Sequence, residues 1–214
     1  MVGRHDTALK DSQQDFDLFD DLEGDITKVF NGENRLKDYI GYITPTFAKG
    51  FSVTVNFFPG EDPAAGEDGV ADSGSVSLNY ETEATYIAVA HDRDIDGPGV
   101  DTTRATGGHT FGPVRVMLLY QRTDTGTLAE DGFGASLAWK FGKNTAKLQY
   151  LSADIWRTDL QVDPLQNLME SLLSVGLDHA LGEDTRLFGF YTTGEIGGTN
   201  DSNNYAAIGI EHKF

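Results

Sequence analysis

The feature that most constrains this chain is a hydrophobic period of two, recurring in segment after segment of about ten residues. Phe51, Val53, Val55 and Phe57 alternate with Ser52, Thr54 and Asn56. Val76, Leu78 and Tyr80 alternate with Ser75, Ser77 and Asn79, and Leu173, Val175, Leu177 and His179 with Ser174, Gly176 and Asp178. Side chains alternate between faces along a strand, so each segment has one apolar and one polar face. The last ten residues, Tyr205–Phe214, repeat the pattern. Ala206, Ile208, Ile210, His212 and Phe214 share one face; Tyr205, Ala207, Gly209, Glu211 and Lys213 share the other. A strand ending on an aromatic in register with an apolar stripe suits a wall with lipid on one side and water on the other.

Eleven strands are predicted: Leu36–Thr44, Phe51–Phe57, Ser75–Glu81, Ala84–Arg93, Arg104–Phe111, Val114–Thr123, Phe133–Phe141, Thr145–Asp154, Ser171–Leu181, Thr185–Glu195 and Tyr205–Phe214. Residues 1–6 form a twelfth as a stub. The connections near 45–50, 82–83, 112–113, 142–144 and 182–184 are short. Those at 59–74, 94–103, 124–132, 155–170 and 196–204 are long, with short helical content expected in Trp156–Glu170. Strict alternation puts the long loops at one end and the short turns at the other, as in an outer-membrane barrel. Phe57, Tyr80, Tyr120, Trp139, Phe141 and Tyr150 lie near strand ends, where an interfacial aromatic girdle belongs.

Composition narrows the function. The 214 residues carry a formal net charge of −18, which argues against nucleic acid as a partner. Without cysteine there are neither disulfides nor thiolate metal sites. No apolar run is long enough for a membrane-spanning helix, and Met1–Thr7 has no signal-peptide character. Residues 1–34 differ from the rest, with Asp11, Asp15, Asp17, Asp20, Asp21, Glu23 and Asp25 interleaved with Phe16, Leu18, Phe19, Leu22, Ile26, Val29 and Phe30. The Phe19–Leu22–Ile26 spacing permits a short amphipathic helical turn. A solvated acidic surface loop is the plainer reading, but connections this long are usually functional or disordered.

Several stretches resemble the Gram-negative general porins. Gly3-Arg4-His5-Asp6-Thr7 resembles the end of the strand that enters that family's constriction loop. Arg35-Leu-Lys-Asp-Tyr-Ile-Gly-Tyr-Ile-Thr-Pro45 resembles the next strand, followed by a turn with Phe47, Gly50 and Phe51. Val175-Gly-Leu-Asp-His179, Thr185-Arg186 and Gly209-Ile-Glu-His-Lys-Phe214 resemble the last two strands and the terminus. The resemblance implies an all-β, transmembrane antiparallel up-and-down β-barrel. It implies that 1–214 is a single partial domain, the carboxy-terminal two-thirds of a 16-stranded barrel. Residues 7–34 would then be the constriction loop in the lumen, and 35–214 a meander of spanning strands. The expected protein is a homotrimer in outer-membrane lipid, passing small hydrophilic solutes and ions with no cofactor. Its signal peptide would lie in a missing amino-terminal part.

By the same resemblance, Asp20, Asp21, Glu23 and Asp25 sit on the constriction, with Glu23 and Asp25 the foremost acidic candidates. Arg35 and then Lys37 belong to the facing basic cluster. Ile208, Ile210, His212 and Phe214 mark the barrel-closing strand and its assembly signal. The negative charge predicts a preference for cations. Asp92-Arg-Asp94-Ile-Asp96-Gly97 matches the opening of a calcium loop, but Thr103 stands where the closing Glu is needed. No catalytic constellation emerges. Two alternatives are an outer-membrane barrel enzyme and a soluble β-rich carbohydrate-binding or adhesin domain.

Overall fold

The computed structural model describes residues 1–60, 69, 72–154, 169–197 and 201–213. Among these are twelve strands: β1 (Val2–Asp6), β2 (Arg35–Ile43), β3 (Phe51–Phe58), β4 (Ser73–Glu81), β5 (Thr85–Arg93), β6 (Asp101–Phe111), β7 (Val114–Asp124), β8 (Ala129–Phe141), β9 (Asn144–Ala153), β10 (Met169–Ala180), β11 (Thr185–Ile196) and β12 (Ser202–His212). They form one sheet in sequence order, so the topology is an up-and-down meander without crossovers. Every strand from β3 to β12 reaches eight to thirteen residues, close to the ~9–11 that a tilted strand needs to cross a bilayer.

The chain forms two compact units. The first comprises Met1–Gln14, Phe30–Gly107 and Leu119–Asp131; the second comprises Asp15–Val29, Gly108–Leu118 and Gly132–Phe214. In the first, Ser75 and Ser77 of β4 are 3% and 2% exposed, whereas Val76 and Leu78 are 41% and 48% exposed. In the second, Ser174 is buried between exposed Leu173 and Val175. A water-soluble sheet covers its apolar face and wets its polar one. Here the polar face is covered and the apolar face bare, an arrangement that hydrocarbon stabilises and water does not.

Register accounts for the turns. Phe141 pairs with Asn144, which leaves a two-residue turn at Gly142-Lys143 instead of the expected three residues. Gly142 has φ +58, the left-handed conformation that tight hairpins demand. Two expected long loops are shorter than predicted, because β8 begins at Ala129 and β12 at Ser202. The contrast between the two ends is correspondingly weaker than the sequence implied. β6 begins three residues before its predicted start, since Thr102 and Arg104 face inward and are fully covered. The stub expected at residues 1–6 is the five-residue strand β1, paired with β2. The helical content expected in Trp156–Glu170 falls largely outside the described residues.

Candidate functional site

The long connection 7–34 is packed, not solvated. Ala8, Leu9, Phe16 and Phe19 are completely buried, and Ile26, Val29 and Phe30 nearly so. The predicted turn through Phe19, Leu22 and Ile26 is not helical. Helix α1 (Ala8–Asp11) and 3-10 turns at Gln14–Phe16 and Ile26–Lys28 occur instead. Capping explains their positions. Thr7 accepts from the Lys10 amide at 3.1 Å, and Asp25 accepts from the Thr27 amide at 2.7 Å, so α1 and the Ile26–Lys28 turn each start at a side-chain oxygen.

In the first unit, the two ends of this connection are held by buried polar groups on the strands. Asn56 Oδ1 accepts from the Ala8 amide at 2.6 Å, and Ser75 Oγ accepts from the Leu9 amide at 3.1 Å. Tyr86 donates its hydroxyl to the Ser12 carbonyl at 3.1 Å. Arg104, with no exposed surface, pairs with Glu33 at 2.7 Å and donates to Gln121 and to the Asn31 carbonyl. Glu33 also accepts from Gln13 at 2.9 Å. Burial, reinforced by nearby Asp6, pushes the Asp11 carboxyl up from its ordinary value.

In the second unit, Asp15–Val29 rests on one amide and two rings. Gln149 Oε1 accepts from the Leu18 amide at 2.7 Å, while its Nε2 donates to Asp17 and to the Gly24 carbonyl at 3.0 Å each. Phe16 lies on Gly134, where a Cβ would collide with the ring. Phe19 packs on Phe190 at 6.1 Å, and Lys147 sits 5.1 Å over the Phe19 ring. Asp17 accepts from the Phe19 and Ile26 amides as well. Desolvation nevertheless raises its carboxyl to about 7, and Asp25 adds to the rise.

The acidic residues singled out in the sequence occupy different environments. Asp20, Asp21 and Glu23 are exposed, and Glu23 pairs with Lys28 at 3.1 Å. Asp25 is buried and turned into the loop, accepting from the Thr27 hydroxyl and from the Asp21 amide. It therefore braces the tip and presents no open charge. Arg35 and Lys37 belong to the first unit, where with Arg4 they line a recess of about 720 Å³; Arg35 lies 3.7 Å from Asp6. The cations sharing the second unit with the acidic tip are others. Arg115 lies 3.5 Å from Asp15, and Lys147, Asp178, Arg186 and Glu211 form a run of alternating charge across β9 to β12. These residues lie on the polar faces of well-formed strands, and that alternation was the signal for them.

The calcium-like stretch does not converge on a site. Asp92 is buried in β5, Asp94 accepts from the Gly99 amide, and Asp96 accepts from Asn34. Among the described residues the one carboxylate group with metal-ligand spacing is Asp17, Asp20 and Asp25, and two of these are bonded to the backbone. At the carboxy-terminal strand, Ile208 is 87% and Ile210 65% exposed, both on the bare face with His212. His212 Nδ1 lies 2.8 Å from Thr185 Oγ1. Phe214 lies outside the described residues.

The fold is shared with solved outer-membrane proteins. OmpF of Salmonella typhi, in complex with daunomycin, superposes with a TM-score of 0.74 at 14% identity, covering 100% of this chain and 73% of that one. A trimer form of OmpT, an outer membrane protein of Vibrio cholerae, gives 0.63 at 12%, covering 99% and 75%. A mutant porin of Rh. blastica gives 0.64 at 17%, covering 100% and 72%. No curated protein sequence matches the chain. Structural likeness at such identities speaks to the fold, an antiparallel outer-membrane β-barrel fold. The sequence also matches the family model of the Gram-negative porins over residues 1–202, and the chain belongs to that family.

Proposed function

We propose that this outer-membrane porin forms a water-filled, cation-preferring channel for passive diffusion of small hydrophilic solutes and ions. We read residues 7–34 as its constriction loop, residues 35–214 as its spanning meander, and both as parts of one porin domain. The observation that carries the reading is the seating of 7–34 on the polar faces of the strands, with Asp20, Asp21 and Glu23 exposed at its tip. Selectivity in a pore follows from its width and the charge at its narrowest part. Exposed carboxylates near Arg115 and Lys28 place opposite charges side by side in that region. Arg35 and Lys37 add basic groups in the first unit. The chemistry is that of a passage, with no bond made or broken.

The reading extends to assembly. The exposed apolar faces fit outer-membrane lipid, and the likeness to an OmpT trimer supports a homotrimer. Ile208, Ile210, His212 and Phe214 serve as the closing strand and its assembly signal. The test is a reversal-potential measurement in planar bilayers under a KCl gradient. Potassium is expected to permeate more readily than chloride, and Asp21→Asn with Glu23→Gln is expected to reduce the ratio. Anion preference would overturn the cationic reading, and absence of conductance would overturn the channel.

A further inference from the structure

Where α1 ends, the polar face of the first unit stays open in a recess of about 470 Å³. Such a volume suits a small ligand, for which sites of about 300–1,000 Å³ are usual. Its wall joins Asp11 and Gln14 of the entering connection to Ser52 of β3 and to Asn79 and Glu81 of β4. All of these residues belong to the first unit. Both strands are paired on each side, so their groups stand clear of a sheet edge.

Asn79 is held in one orientation. Its Nδ2 donates to Ser77 Oγ at 2.9 Å, and its Oδ1 accepts at 3.1 Å from the Tyr86 hydroxyl, which is shared with the Ser12 carbonyl. A side-chain amide has two N–H donors and two lone pairs, so one of each is left for a ligand. Its registry partner on the same face is Ser52, ~5 Å away between Cβ atoms. The Ser52 hydroxyl has no partner among the described residues. Asp11 and Glu81 are exposed beside them, and neither is in an ion pair among the described residues. The ammonium of Lys10, in the same wall, lies 3.5 Å from Asp6 instead. The backbone at Gln14 is left-handed, with φ +50, a conformation that residues other than glycine rarely adopt and that gathers at ligand-contacting walls.

The fixed groups are uncharged and both donate and accept, and the open groups beside them are acceptors. An anion is repelled by the carboxylates, and an alkyl surface leaves the amide and the hydroxyl without partners. A run of hydroxyls satisfies all of them, donating to the carboxylates and accepting from the amide. We propose that this recess binds neutral polyols, with the pyranose ring of a carbohydrate as the ligand. Ser52 and Asn79 meet the ring hydroxyls, Asp11 and Glu81 accept from those at the rim, and Ser77 and Tyr86 hold Asn79 in place. Only the use of the site in transport rests on the channel reading; binding itself does not depend on conduction.

The probe is methyl glucoside, titrated by saturation-transfer NMR into full-length protein in a detergent without a sugar headgroup. Tetrahydropyranyl methanol, which keeps the ring without its secondary hydroxyls, and protonated glucosamine serve as comparisons. Saturable glucoside binding is expected, about tenfold or more tighter than that of the deoxygenated ring. Ser52→Ala and Asn79→Ala are each expected to weaken it about three- to ten-fold. Retained heat-modifiable gel mobility shows that each variant is folded. Equal binding of both rings, affinity unmoved by both substitutions, or binding of glucosamine alone overturns the proposal. Loss of bilayer conductance with glucoside binding intact removes only the channel, and conductance without glucoside binding removes only the site.

Discussion

The two ends of the 7–34 connection and its tip are held by different physics. In the first unit a fully covered Arg104 paired with the half-buried Glu33, joined by Gln121 and Asn31, does the holding, with Asn56 and Ser75 on the helix amides. In the second unit two phenyl rings and the single amide of Gln149 do it, beside a carboxylate kept partly protonated near neutrality. A buried ion pair is specific and intolerant of losing one partner. Apolar burial is more forgiving, and one amide can be replaced at modest cost. The ends are therefore locked in place, while the tip, which carries the exposed carboxylates, is the softer part.

The largest test removes a partner from the lock. Arg104→Met strands Glu33 in a covered site and should destabilise the seating of residues 30–34 by roughly 3–5 kcal/mol. Hydrogen exchange at those amides reads the loss. Adding Glu33→Leu should recover much of it, and no recovery would show that the pair is not the lock. Next in size, Gln149→Leu leaves the Leu18 amide and Gly24 carbonyl without partners and should cost about 1–3 kcal/mol at the tip. Exchange should rise at residues 18–26 and stay unchanged at 30–34. A rise in both segments would erase the distinction between them.

The third test is pH-dependent. Asp17 has its carboxyl raised from 3.8 to about 7 by desolvation, so seating the tip favours the protonated form. Its contribution is fully present below the ordinary value and is lost as pH rises through about 7. Protection of residues 18–26, corrected for intrinsic exchange, should fall between pH 4 and pH 8. Asp17→Asn should flatten that dependence, whereas a wild-type profile rising with pH would contradict the assignment. Residues 30–34, held through Arg104 and Gln121 and not by Asp17, should show little of it.

Much of the fold was legible in the sequence because its cause is periodic. Val76 and Leu78 against Ser75 and Ser77 identify a strand and both its faces from a handful of letters. The acidic connection was legible as something distinct, but its interior was not. Nothing local in Gln149, Asn56 or Arg104 distinguishes a polar residue that anchors a loop from one that only meets water. That role depends on which backbone amide arrives opposite, a contact spanning 131 residues between Leu18 and Gln149. The same limit hid the burial of Asp25, whose charge read as an open rim while its oxygens cap Thr27. Helical periodicity also misled at Phe19–Leu22–Ile26, where capping by Asp17 and Asp25 imposes turns instead.

The inverted faces have a consequence for biogenesis. Mean hydropathy is −0.34, and a secretion machinery that samples long contiguous windows meets nothing greasy enough to retain. Affinity for lipid is absent from the linear polymer and emerges only when neighbouring strands align and every second side chain turns the same way. A slip of one residue in that alignment would turn a lipid-facing surface into a wetted one. For such a chain, correct registration and membrane insertion are the same event.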